Sequence, residues 1–164
     1  IAEHWMRVNI DVDNEGNLYV PDFYNNRILK YNEPFSSEKT GGKGDNIADF
    51  VIGQDNFNSN KANKGLPTPD SSSLYISRDE NLDHVSTRGV SVDAQGNVLV
   101  ADTFNHRILR FSSGSKTANL VIGQDTFISK EEIGCSYSPQ NRPLNKLCTP
   151  TLAKINPDSV IYMQ

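Results

Sequence analysis

The chain is poor in the residues on which most binding and catalytic chemistry depends. Its 164 residues include three histidines, two cysteines, two methionines and one tryptophan. His4, His84 and His106 stand far apart and form no close pair with each other or with a cysteine, which removes the usual zinc spacing. Neither the Cys-x-x-Cys-His signature of covalently held haem nor a Gly-x-Ser-x-Gly nucleophile elbow occurs. No apolar run approaches the roughly 20 residues of a membrane-spanning helix, and no charged-then-apolar leader opens the chain. Because it starts at Ile1 rather than Met, a processed or partial chain is expected. A basic face is also missing: 16 Lys and Arg stand against 20 Asp and Glu, for a net charge of −4, with no run of one sign. That argues against nucleic acid as a partner, since phosphate neutralisation needs clustered positive charge.

With 36% hydrophobic and 22% charged residues, the chain has the composition of an ordinary folded domain with a sizeable core. Both cysteines, Cys135 and Cys148, fall in one polar segment, GCSYSPQNRPLNKLC. A local disulfide is one reading; closing a loop of this length stabilises a fold by about 3 kcal/mol and implies an oxidising compartment. Two free thiols in a reducing compartment is the other.

Internal repetition dominates what is present. Residues 10–31, IDVDNEGNLYVPDFYNNRILKY, align without a gap on residues 90–111, VSVDAQGNVLVADTFNHRILRF. A second echo follows each copy, ADFVIGQDNF at 48–57 and ANLVIGQDTF at 118–127. The order is kept while the connection between the two echoes changes length, which is how repeats diverge. A fainter third echo, TPTLAKINPDSVIYMQ at 149–164, aligns with 87–102 but lacks the Gly-Asn turn.

Each unit reads as four short strands: GVSVD, NVLVAD, RILRF and NLVIGQ in the second copy. β-Branched residues fill the apolar runs, and helical spacing is nowhere sustained. The Asp-x-x-Gly-Asn turn supplies Gly16 and Gly96 for a positive φ, and Asp and Asn for bonds to turn backbone. In LYV and VLV apolar residues are consecutive, so both faces of each sheet must be covered. A row of four-stranded antiparallel sheets, each packed on the next and closed into a ring, meets that demand. The expected fold class is therefore all-β, a β-propeller segment of about two blades plus the start of a third. Its parts are blade one at 8–57, a long inter-blade insert at 58–87, blade two at 88–127, a Cys-containing insert at 128–149 and the start of blade three at 150–164.

The pattern V-x-V-D-x-x-G-N-x-x-V-x-D-x-x-N-x-R-I, read at 90–108 and nearly so at 10–28, resembles the NHL repeat. The VIGQD-x-F tail followed by an Asn-, Ser- and Pro-rich stretch is similar to a bacterial, largely extracytoplasmic subgroup of that family. The resemblance implies a propeller commonly of six blades, a Cys pair such as Cys135 and Cys148 before the next strand, and an extracellular or periplasmic location. Pro21 departs from the pattern, standing where the second copy has Ala101 and removing a backbone donor at a strand end.

DVDNEG at 11–16 has the look of a calcium loop, but SVDAQG in the second copy loses the first Asp, so a hairpin turn accounts better for both. Asp22, Asn25 and Arg27, with Asp102, Asn105 and Arg107, form the repeated polar set. An active site is needed once whereas a turn must be held in every blade, so recurrence assigns these residues to the turn between the second and third strands. His106 replaces Asn26 and reads as a turn residue rather than a metal ligand. Gln54 and Gln124 of VIGQD are expected to bond backbone across a blade boundary.

In an up-and-down blade that turn opens on the same side as the connection to the next blade. The long inserts therefore share a side with Phe23, Tyr24 and Asn26 and with Thr103, Phe104 and His106, the expected interaction face. The resulting expectation is a non-enzymatic interaction or scaffold module of an exported bacterial protein. It has no cofactor or metal, the remaining blades as its first partners and a protein on the long-loop face as the next. The alternative is a propeller enzyme, a lyase or hydrolase, with a channel site partly supplied by other blades. RNA binding has precedent in eukaryotic NHL proteins but lacks the basic face it needs.

Overall fold

In the computed structural model, residues 8–77 and 88–131 and Leu147 are described. Valine, isoleucine and leucine runs between Asp-Gly-Asn turns give nine strands among these residues. They are β1 (Val8–Asn9), β2 (Asp11–Val12), β3 (Leu18–Asp22), β4 (Arg27–Tyr31), β5 (Phe50–Ile52), β6 (Arg88–Val92), β7 (Val98–Asp102), β8 (Arg107–Phe111) and β9 (Ala118–Ile122). β2 to β5 form one antiparallel sheet in sequential order, and β6 to β9 form a second. Among the described residues helix is confined to the four-residue α1 (Ser37–Thr40) and short 3-10 turns. These are two four-stranded blades of the kind that build a β-propeller.

The turn chemistry is the same in both sheets. Asp13 Oδ1 accepts the N–H groups of Glu15 at 3.0 Å and Asn17 at 2.9 Å, and Asp93 Oδ1 accepts those of Gln95 at 2.9 Å and Asn97 at 2.8 Å. Gly96, at φ 77°, occupies a backbone state that a side chain would strain. At the other end of the second strand, Phe23–Asn25 and Thr103–Asn105 each make one 3-10 turn. Asn26 and His106 close these turns in the left-handed region, at φ 50° and 53°. Asn and His are among the side chains that enter that region most readily, which explains why they exchange here.

Neither sheet keeps its core to itself. Tyr19, Ile28 and Ile52 of the first meet Val90, Val98, Val100, Leu109 and Phe111 of the second in one buried cluster, joined by Leu74 and Ile76 from the connecting segment. Each such side chain contributes roughly 1.5–3 kcal/mol on burial. The outward faces repeat this interface, and among the described residues they have no mate. Ile10 is 50% exposed where its counterpart Val90 is fully buried, and Ile122 is 40% exposed where its counterpart Ile52 is 2% exposed. The geometry is that of an array, each unit offering its neighbour what it received from the one before.

Two features differ from expectation. Val8–Asn9, expected within blade one, pairs in parallel with Arg88–Gly89 of β6, so the first strand is split at Ile10. The physical cause is Asp11, buried where the second unit has Ser91. Its carboxylate accepts the Val92 N–H at 2.9 Å and the Ser91 hydroxyl at 3.3 Å, binding the two innermost strands together. The segment after β5, expected as an insert, also supplies core. Gly53 bridges Ser73 in parallel, and a Cβ on Gly53 would lie 2.5 Å from Leu74 Cδ1 and 2.9 Å from the Asn26 carbonyl oxygen. Gly123 meets Leu147 in the same way, at 2.5 Å from its Cγ. In VIGQD the glycine is required by the leucine that returns over it. Gly53→Ala combines this overlap with φ 90°, and the expected cost is roughly 2–4 kcal/mol, read from the urea unfolding midpoint. Gly114→Ala, at φ 70° but with nothing within 4 Å of its Cβ, should cost about half that or less.

Candidate functional site

The repeated polar set forms two sockets. In the second unit, register places Asp102 opposite Arg107 in the last pair of the β7–β8 hairpin. Arg107 Nε donates to Asp102 Oδ2 at 2.6 Å, Asn105 Nδ2 donates to the same oxygen at 2.8 Å, and the Asp and Arg side chains are fully buried. The first unit repeats the pair, with Arg27 Nε to Asp22 Oδ2 at 2.7 Å and Asn25 Nδ2 3.0 Å from each Asp22 oxygen. In both units the guanidinium Nη1 reaches the carbonyl of the phenylalanine that ends VIGQD-x-F, Phe57 or Phe127. Arg is suited to this work because its planar fork meets a carboxylate with one edge and carbonyls with the other.

What fills the second socket is the connecting segment of the first unit. Tyr75 N–H donates to Asp102 Oδ1 at 2.6 Å, and its carbonyl accepts the Phe104 N–H at 3.0 Å. Asn63 and Asn105 exchange amide bonds at 3.1 and 2.8 Å, both buried. Arg107 Nη2 reaches the carbonyls of Asp70 at 2.9 Å and Ser73 at 3.1 Å, and the rings of Tyr75 and Phe104 lie 5.2 Å apart. The same segment is anchored behind, on its own unit: Asn26 Oδ1 accepts the N–H groups of Ile76 and Ser77, each at 3.0 Å, and Asn26 Nδ2 donates to the Asn60 carbonyl at 3.1 Å. Residues 60–77 thus clasp one blade to the next.

Burial pushes the Asp102 carboxyl upward, opposed by Arg107, the Tyr75 N–H and Asn105. An uncompensated charge would be costly at such a site, so the pair depends on every donor around it.

The clasp corrects the expected interaction face. Asn26, the anchor of the segment, is buried beneath it, and Thr103 and His106 are buried in the turn of the second unit. Phe23 and Phe104 are partly covered, and Tyr24 remains 59% exposed. The glutamines bond within their own unit and its following segment rather than to another blade. Gln54 Nε2 donates to the Asn26 and Lys61 carbonyls at 3.0 and 2.9 Å, and Gln124 Nε2 to those of His106 and Glu131 at 3.2 and 3.0 Å. His106 therefore holds a turn. Among the described residues no group of three or more His, Cys, Asp or Glu is placed to hold a metal ion. His4, His84, Cys135 and Cys148 lie outside the described residues.

Sequence reasoning missed Asn63, Asp70, Ser73, Leu74 and Tyr75. The first insert is not repeated in recognisable form, and most of its contacts to the second socket are made by backbone atoms, which leave no signature. Leu74 and Leu147, one in each insert, were the one available signal.

Residues 88–111 match the NHL repeat. They comprise β6, β7, the 3-10 turn and β8, and so contain Asp102, Asn105 and Arg107 of the second socket. No curated protein matches the chain.

The two sockets give a comparison within one molecule. Arg107→Ala removes a fully buried partner and is expected to cost about 3–5 kcal/mol, whereas Arg27→Ala, at a half-open site, should cost about 1–2 kcal/mol, both measured by urea unfolding. The turn carboxylates set a pH dependence. Burial raises Asp13, but the side chain and N–H of Asn17, the Tyr19 hydroxyl and the Glu15 N–H outweigh it and hold the carboxyl below its ordinary range. Burial likewise raises Asp93, outweighed by Asn97, the Gln95 N–H and Arg110. A folded value below the unfolded one, about 4, gives stability that is complete above pH 4 and lost as pH falls through the native values. Asp93→Asn should therefore lower stability by about 1 kcal/mol at pH 6 and flatten the loss as pH falls below about 4.

Proposed function

We propose that the chain is part of an NHL-repeat β-propeller that serves as a protein-interaction scaffold in an exported bacterial protein. The observation that carries this reading is the NHL match at 88–111 on a blade whose repeated polar residues are engaged in holding the neighbouring segment. Residues used in this way serve assembly, and binding then falls to the exposed surfaces of the inserts. The likeness of the VIGQD-x-F tails and the Cys135 and Cys148 pair to that subgroup supports the bacterial, extracytoplasmic reading, with the extracellular space or periplasm as the proposed location. Among the described residues no helix is long and apolar enough to cross a membrane.

Among the described residues of the two inserts the exposed large apolar side chains are Leu66 at 51% and Ile128 at 64%, the surface we assign to a protein partner. The other end of the sheets also exposes Phe35 and Ile47, at 72% and 73%. Photo-cross-linkers at these four positions in the full-length protein decide between the ends. The reading requires a discrete partner captured from Leu66 and Ile128 but not from Phe35 or Ile47, in a protein that fractionates outside the cytoplasm. Leu66→Asp with Ile128→Asp should then weaken partner binding about tenfold without shifting the unfolding midpoint.

A further inference from the structure

The first socket is built like the second and is open. Asp22 and Arg27 keep 25% and 14% of their side-chain surface, against none for Asp102 and Arg107. Arg27 Nη2, whose counterpart in Arg107 holds the Asp70 and Ser73 carbonyls, has no partner among the described residues. Asn25 uses its Nδ2 on Asp22 alone, where Asn105 also exchanges bonds with Asn63. Tyr24, 59% exposed, stands where Phe104 packs on Tyr75.

The geometry points to a peptide-docking site at Asp22, Tyr24, Asn25 and Arg27 whose occupant is the insert of another repeat unit of this kind. The filled socket specifies the chemistry of that occupant. It offers an Asn amide to Asn25, an N–H to Asp22 Oδ1, two or more backbone carbonyls to Arg27 Nη2 and an aromatic ring to Tyr24. An acidic segment would meet Asp22 directly and be repelled. A segment ending in an apolar residue and an aromatic, as Leu74–Tyr75 does, fits best. The inference rests on the propeller reading and goes beyond it by naming the receiving residues and the segment they receive.

Open apolar ground continues from the socket. Ile10, at the break before β2, and Val12, on β2 of the same sheet, are 50% and 44% exposed, while their counterparts Val90 and Val92 are covered by the preceding unit. Among the described residues nothing covers socket or face, as expected if one neighbouring unit covers both.

The probe is a fluorescent synthetic peptide of residues 58–77, titrated onto the 164-residue chain and followed by anisotropy. The chain's own copy of this segment occupies the second socket in cis, leaving the first for the peptide. Saturable binding between about 10 µM and 1 mM is expected, since an unstructured peptide must be ordered on docking. Asn25→Ala in the chain and Asn63→Ala in the peptide should each weaken it about fivefold to tenfold, and together no more than twofold further, because both remove one amide exchange. Absence of saturable binding at 1 mM, or binding indifferent to Asn25→Ala, overturns the proposal. If Asn25→Ala lowers the unfolding midpoint, hydrogen exchange on the unaltered chain decides instead. The peptide must slow exchange of the Tyr24 amide, the counterpart of the Phe104 N–H held by Tyr75, and unchanged exchange overturns the proposal. Failure here leaves the cross-linking result, and with it the scaffold reading, untouched.

Discussion

The buried pair of Asp102 and Arg107 is the contact on which the two-blade arrangement turns. A carboxylate and a guanidinium removed from water are tolerated only where each is fully engaged, and half of their hydrogen bonds come from the preceding unit. Tyr75, Asp70 and Ser73 bring an N–H and two carbonyls from the preceding unit. The hairpin therefore reaches its lowest energy only when the neighbour is in place. A polar feature that looks like a catalytic set in sequence works as a coupling device between blades.

The apolar interface works in the same direction. Tyr19, Ile28 and Ile52 find their partners in the next sheet, and Leu74 closes over Gly53 so tightly that no side chain fits beneath it. Asp11 adds a polar tie at the inner edge, through Val92 and Ser91. Hydrophobic contact supplies most of the free energy and the polar clasp fixes how one sheet lies on the next, because hydrogen bonds are directional and dispersion is not. A rigid stack of this sort suits a binding scaffold, whose surface must hold its shape without being part of the core.

The strands, both turn types and the stacking of blades were legible in the sequence because each rests on local rules that recur in both units: Asp13 and Asp93 in the Asx turns, Gly96 at positive φ, Asn26 and His106 in the left-handed region. The same recurrence marked Asp22, Asn25 and Arg27 as turn holders rather than catalysts. What stayed hidden was long-range and unrepeated. Nothing in NKGLPTPDSSSLYIS announces that Asn63 faces Asn105 or that Tyr75 reaches Asp102, and Asn26 looked exposed because the segment that buries it is fifty residues further on. The split of the first strand likewise depends on Asp11, a residue the second unit lacks.

This division between repeated receptor and unrepeated donor has a physical basis. The socket acts through side chains, Asp, Asn and Arg, whose identity fixes the chemistry, so those positions must recur. The donor acts mostly through main-chain N–H and C=O groups, which every residue but proline can offer in full. Its sequence is then free to vary in length and composition, provided an Asn, an apolar residue over the glycine and an aromatic arrive in place. A constant socket reading a variable loop lets each blade lock to the next while its outer surface changes. Adjacent units can thus diverge in what they present without loosening the stack that holds them.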